Sequence, residues 1–222
     1  MAARKTSAVA YRFQRLHSAL QSGHGLTVKH KREEPVPVFF HQGLLDGACG
    51  LHVVCMIVAI FGLSKTSALI DMHRRKYGAA ARIWDAYRQF YFSGLHPHEM
   101  VEQFKTLELP VTVALREGRG SDVDGFVVQC LMQGDLVAIV TASPRDRRQH
   151  WSLAVGIEGN VVGQRHEPDT ILTVDPSGSE PIFSVWNARL RKIGARTWLH
   201  EGPEWTPEHV SLRAAVRFRL GA

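Results

Sequence analysis

Cys49, His150, Asp175 and Gln42 are the residues whose types and settings could do chemistry together. Cys49 closes the polar, glycine-rich stretch His41-Gln42-Gly43-Leu44-Leu45-Asp46-Gly47-Ala48 and leads into the apolar run Val53 to Leu63. A buried helix is therefore predicted to begin on the cysteine itself. A thiol at that position faces unpaired backbone N–H groups and the positive end of the helix dipole. Both favour the thiolate, which is the nucleophile. Cys55 lies six residues further on, about 240° round a helix, and so cannot share that face. Cys130 falls inside the apolar stretch Phe126 to Leu131. These two read as small core residues.

A cysteine nucleophile needs an imidazole to take and return a proton, an orienter for that imidazole, and donors for the oxyanion. Twelve histidines are available. His150 stands out because it follows the polar turn Ser143 to Gln149 and opens the apolar stretch Trp151 to Ile157. That places an imidazole at the rim of a sheet, held rigidly yet reachable, as a general base requires. Asp175 ends the strand-like Ile171 to Val174, and Pro176 keeps it extended. If the strands carrying His150 and Asp175 are antiparallel neighbours, the carboxylate can fix the imidazole tautomer. The same Asp-Pro pair also reads as an ordinary turn. Gln42 has an amide N–H that can address an oxyanion near Cys49, whose own backbone N–H would be the second donor.

The elements that must position these groups come in two blocks. Residues 1–35 form a basic N-terminal segment, with a short helix expected around Ala8 to Gln21. Glu34 to Phe40 is extended, because residues before proline avoid the helical region. Helices are predicted over Cys49 to Phe61, Lys65 to Tyr77 with Ser64 as cap, Ala79 to Phe92, and Pro97 to Leu107. Strands then dominate: Val111 to Leu115, Leu136 to Val140, Trp151 to Ile157, Ile171 to Val174 and an alternating, possible edge strand from Leu212 to Arg219. A helix capped by Ser121 separates the first two, and Glu158-Gly159-Asn160 reads as a turn into Val161-Val162. Helices first and an antiparallel sheet second is an α+β plan, with residues 36–222 as one domain.

Composition narrows the function classes. Of 222 residues, 45% are apolar and 22% charged, as in an ordinary folded domain. Three cysteines cannot build a disulfide framework, so a reducing, cytoplasmic setting is expected. No secretory signal is read at the start, and the longest apolar run is too short for a membrane span. The net charge of +6 permits an acidic partner. The excess lies at both ends without a nucleic-acid-binding motif, and Trp84, Trp151, Trp186, Trp198 and Trp205 suit a core, so nucleic acid is not the expected partner. Cys49 with His52, and His96 with His98 and Glu99, offer ligand types but not zinc-site spacing. No metal or cofactor is expected.

Taken in order, Gln42…Cys49-Gly50, Gly134 to Val140, His150-Trp151-Ser152-Leu153-Ala154-Val155-Gly156 and Thr173-Val174-Asp175-Pro176-Ser177-Gly178 resemble the papain-like cysteine peptidases. The branch they are most similar to is the bacteriocin-processing, double-glycine leader peptidases in stand-alone form. The resemblance spans most of residues 36–178. It implies a papain-like fold, with a helical N-terminal half whose central nucleophile helix packs on an antiparallel sheet. It also implies Cys49 as nucleophile, His150 as general base, Asp175 as orienter and Gln42 as oxyanion donor, acting on a peptide or protein. Nothing resembles the transporter membrane and nucleotide-binding domains to which such peptidases are often fused, nor a phosphate-binding loop. The same triad serves deamidation or acyl transfer in effector-type enzymes, because the acyl-enzyme is common to all of them. An inactive module that binds a peptide or an acidic partner is the non-enzymatic alternative. The sequence does not speak to oligomeric state.

Overall fold

The computed structural model describes residues 10–29, 34–44, 46–118, 121–145 and 148–221. Part of the basic N-terminal segment, including Arg4, Lys5, Lys31 and Arg32, lies outside them. The chain opens with strand β1 (Ala10–Leu16) and three two-residue strands, β2 (Leu20–Gln21), β3 (Thr27–Val28) and β4 (Val36–Pro37), which form a small separate sheet. Helices α1 (Cys49–Ile60), α2 (Thr66–Ile70), α3 (Ala79–Tyr87) and α4 (Pro97–Thr106) follow. Then come β5 (Val111–Glu117), α5 (Ser121–Met132), β6 (Leu136–Ala142), β7 (Gln149–Val162), β8 (Arg165–Val174), β9 (Ala188–Lys192), β10 (Trp198–Gly202) and β11 (Trp205–Leu220).

The α+β, papain-like plan is overturned. The dominant feature is an antiparallel ring, β7-β6-β11-β10-β9-β8, closed by pairing of β8 back onto β7. The molecule is mostly β, with five short α-helices among the described residues, and no helical half faces a sheet half. Two strands that the sequence reading passed over, β9 and β10, close this ring. Arg189, Arg191, Lys192, His200 and Glu201 make them too polar to read as strands alone. Their carboxylate and guanidinium groups pair across the strands, with Glu201 Oε2 3.3 Å from both Arg189 Nε and Arg191 Nε. The charged faces are thereby accommodated on a half-exposed surface.

Closure depends on two long strands that bend. β7 pairs with β6 through residues 149–154, and with both β8 and β1 further along. Its register slips between Ala154 and Gly156 and again between Glu158 and Gly159. A Cβ at Gly159 would sit 2.2 Å from the Glu167 carbonyl oxygen, so no other residue fits that approach. The turn read at Glu158-Gly159-Asn160 is therefore a bulged strand, held extended by neighbours on both sides. The actual reversal is two residues long and uses Gly163 at φ +64. The helix expected around Ala8 to Gln21 is likewise replaced by β1, whose residues pair with β7 from Gly156 to Val162. Ladder hydrogen bonds to an existing strand outweigh a weak local helix preference.

β11 is not an edge. Residues 214–218 lie between β5 and β6, and residues 205–210 pair with β10. Of its outward arginines, Arg219 forks onto both oxygens of Asp135 at 2.8 Å. The second helix is shorter than the predicted span. α2 stops at Ile70 because the apolar pattern ends there, and Ser64 makes no cap, Lys65 being the N-cap residue.

Two hydrophobic clusters flank the ring. One surrounds α1, which is apolar on nearly every face, and takes Leu136, Ala138, Val140, Leu153 and Val216 from the strands. The alternate residues Val137 and Ile139, with Ile171, Leu190, Trp198 and Val210, pack on α5 in the other. The period-two alternation of β6 thus serves both clusters, which explains why all seven of its residues are buried. Among the described residues no helix is long and apolar enough to cross a membrane.

Candidate functional site

α1 begins at Cys49, as the pattern of a polar loop before an apolar run predicts. The loop before it is organised by a residue the sequence reading left out. Asp46 accepts hydrogen bonds from Gly43 N at 2.8 Å and Ala48 N at 3.1 Å, one on each carboxylate oxygen. This is the local capping typical of aspartate in turns. Gly47 passes so close to the neighbouring segment that a Cβ would meet the Phe92 carbonyl oxygen at 2.7 Å. Its own N–H donates to the Tyr91 carbonyl at 2.9 Å. The third helix ends at Tyr87 rather than Phe92, and the chain then turns to lay residues 91–95 beside the Cys49 loop. The indole N–H of buried Trp151 holds this segment by donating to the Leu95 carbonyl at 2.8 Å.

The register of the sheet brings His150 to Asp175. Leu153 on β7 pairs with Val174 on β8, so continuing the ladder sets Asp175 opposite Ser152. His150 then lies diagonally across on the same face, within reach of a long side chain. The ring Nε2–H donates to Asp175 Oδ1 at 2.8 Å. That leaves the other ring nitrogen unclaimed by Asp175, and Cys49, which lines the same cleft, is near enough to act on the titration of the imidazole. The His150 side chain is 29% exposed and that of Asp175 2%.

The surroundings set the charge states. Burial by itself would lower the His150 pKa, but the Asp175 carboxylate and its hydrogen bond, followed by Cys49, raise it to about 10. Burial likewise acts to raise Asp175, and the neighbouring His150 and the Ser177 N–H outweigh this and hold the carboxyl below its ordinary value. The Ser177 N–H reaches Oδ1 at 2.8 Å. The backbone of Asp175 is clamped by Asn187, which accepts from its N–H at 2.7 Å and donates to its carbonyl at 2.8 Å. Asn187 was missed because it lies in a segment without strand pattern, and its partner is identifiable only once β8 and β9 are paired.

Gln42 lines the same cleft as Cys49, His150 and Asp175. Its Nε2 donates one hydrogen to the Asp46 carbonyl at 2.9 Å, and its Oε1 accepts from the Ser177 hydroxyl at 3.2 Å. Its backbone N–H reaches the Pro176 carbonyl at 2.8 Å. The amide is thus oriented between the nucleophile loop and the segment after Asp175, with its second N–H not used in that pair of contacts. All four sequence-derived residues meet in one opening of about 790 Å³, also lined by Phe92, Gly94, Trp151, His200 and Glu208.

The other two thiols are more fully buried. Burial pushes Cys55 up to about 12 and, with help from Asp135, Cys130 up to about 11. Neither lines the cleft. Among the described residues, no group of three or more histidine, cysteine or acidic side chains is arranged to hold a metal ion. His96 and His98 stack on one another, ring centroids 5.9 Å apart, at the start of α4. No family model matches the chain, and no curated protein is significantly similar to it.

Proposed function

We propose that the protein is a cysteine peptidase, using Cys49, His150 and Asp175 to hydrolyse a peptide or protein through an acyl-enzyme. The observation that carries this reading is that a helix-terminal thiol, an imidazole and a buried carboxylate line one open cleft, with the imidazole hydrogen-bonded to the carboxylate. The resemblance of the four short motifs to the bacteriocin-processing branch adds weight. The ring architecture does not count against it, since this constellation recurs on unrelated scaffolds.

In the proposed cycle Cys49 passes its proton to His150, and the sulfur anion so formed faces an imidazolium held by Asp175. Sγ attacks the scissile carbonyl carbon, the C–S bond forms and the carbonyl π pair moves onto oxygen. The oxyanion is met by the Cys49 backbone N–H, an unpaired donor of the first helical turn, and by the free N–H of Gln42. Collapse breaks the C–N bond, and His150 gives its proton to the departing amine. A water then enters, His150 removes its proton as oxygen attacks the thioester, and cleavage of the C–S bond releases the acid product and a thiolate that recovers its proton from His150. The three cysteines are all unpaired, consistent with the cytoplasmic setting we propose.

The test is an unbiased cleavage screen: a proteome-derived peptide library incubated with wild-type protein and with Cys49→Ala, and new termini identified by mass spectrometry. Cleavages present with wild type and absent with the variant are expected. Hydroxylamine added to the reaction should yield hydroxamates at the same sites if the acyl-enzyme forms. A library left intact by folded wild-type protein, or cut equally by Cys49→Ala, would overturn the assignment.

A further inference from the structure

The carboxylate at the centre of the site has a second imidazole beside it. His200, on β10, directs Nε2 toward Asp175 Oδ2 at 3.8 Å, while His150 holds Oδ1 at 2.8 Å. The His200 side chain is 19% exposed and lines the same cleft. Oδ1 already accepts from both His150 and the Ser177 N–H, so a further partner must come to Oδ2. An approach of roughly 1 Å would convert the His200 contact into a charge-assisted hydrogen bond.

We infer that His200 is a positioning residue that shares the Asp175 carboxylate with His150, and that a proton taken up by His200 reinforces the positive side of the site around Cys49. The inference rests on reading the cleft as a cysteine peptidase site. The ring topology supplies both histidines to one carboxylate: His150 from β7, and His200 from β10, two strands away from β8 with β9 between.

Charged and titratable groups face His200 from several strands. Asp175 stands at the end of β8, His150 on β7, and Glu208 directly opposite in the β10–β11 pair. Arg148 lines the cleft as well. On β9 the opposed residue is the apolar Leu190, and Glu201 on the same strand is engaged by Arg189 and Arg191. Burial lowers the His200 pKa, Asp175 and Glu208 act to raise it, His150 opposes them, and the net direction is down from 6.5. His200 is therefore neutral at pH 7 and charges on the acid side, where His150 is still an imidazolium. In that range the Cys49 thiol loses its proton beside one cation above the His200 midpoint and beside two below it. A second nearby cation favours the anionic sulfur, so the thiolate persists to lower pH than His150 alone would allow.

The experiment follows iodoacetamide alkylation of Cys49, peptide by peptide, from about pH 3.5 to about 8.5, a range that brackets the thiolate and imidazole titrations of such sites. His200→Gln should raise the acid midpoint of Cys49 alkylation by roughly 0.3–1 pH unit. His200→Lys, with its permanent charge, should return the midpoint to the wild-type value or below it, although it competes for Asp175. A side chain that merely packs would change the plateau rate or the melting temperature and leave the midpoint in place. Superimposable acid limbs in wild type and His200→Gln would overturn the inference.

A second measurement does not depend on the His200 variants folding. NMR titration of the histidine ring protons should show the His200 midpoint rising by roughly 0.5–1 unit in His150→Gln, because a neighbouring cation has been removed. An unmoved midpoint would overturn the sharing of Asp175. Failure of the peptidase reading looks different. Cys49 would then alkylate no faster than Cys55 and Cys130, with or without His150, while the NMR coupling would still decide whether the carboxylate is shared.

Discussion

Two nearly buried carboxylates, Asp175 at the cleft and Asp124 in the first turn of α5, are 1% and 4% exposed. Asp124 binds Lys192 Nζ at 3.1 Å and the indole N–H of Trp198 at 3.2 Å. It ties α5 to β9 and β10, and the Lys192 ammonium also sits over the Trp198 ring, 5.2 Å from its centroid. Asp175 is bound by His150 at 2.8 Å with His200 at 3.8 Å, so its side-chain partners are imidazoles. An ammonium and an indole N–H keep their protons across the whole range in which proteins fold, so Asp124 can only hold. An imidazole changes charge near neutrality, so Asp175 can govern a proton that moves. A buried carboxylate becomes chemical or structural according to what it faces, and burial alone does not distinguish the two.

The comparison breaks most visibly at the groups Asp175 serves. Cys49→Ala and His150→Ala should each reduce turnover of a confirmed substrate by at least about 10³-fold while leaving the circular dichroism spectrum intact, as expected for members of one catalytic unit. Retained turnover in both would remove the contrast altogether. Asp175→Asn should lose roughly 10²–10⁴-fold, through the wrong imidazole tautomer. Asp124→Ala should do the opposite. It leaves the Trp198 N–H and Lys192 unpaired, so stability falls by about 1–3 kcal/mol, read as a lower urea midpoint, with activity per folded molecule unchanged. If the two aspartates exchanged these signatures, the division into holding and governing would be wrong.

Reactivity sharpens the same contrast among the cysteines. Iodoacetamide at neutral pH should modify Cys49 at least about 10-fold faster than Cys55 and Cys130, whose burial keeps them as thiols. Peptide-resolved mass spectrometry reads all three at once, and equal rates would favour a binding module.

The smallest effect is on stability against pH. His150 is raised in the folded state, so its contribution is full below its ordinary 6.5 and is lost as pH rises toward about 10. Asp175 is lowered, so its contribution is present above its ordinary 3.8 and is lost as pH falls through its folded value. Urea midpoints of wild type relative to His150→Gln should therefore shrink between neutral and strongly alkaline pH. Relative to Asp175→Asn they should shrink below about pH 4. Flat differences would mean that the pair is not ionised as described.

Much of the site was readable in one dimension because its signals are local. A glycine-rich loop meeting an apolar run predicts a helix that starts on Cys49, and a polar turn opening an apolar strand predicts a rim histidine. Asp46 was equally local and was passed over, although an aspartate between glycines in a loop is a capping signal. His200 and Asn187 had no such signal, because their significance lies entirely in strands far apart in sequence.

Local residue patterns settle where α1, α3 and α4 begin, that β6 is a buried strand, and which thiol stands at a helix end, since these follow from periodicity and backbone chemistry within a dozen residues. Only the tertiary structure decided that the sheet closes on itself. That outcome depends on β8 meeting β7 and on two polar strands completing the circle, pairings whose hydrogen bonds carry no residue code. The same closure presents a second imidazole to Asp175. Long-range register is set by the whole set of ladders at once, and no short window of residues contains it.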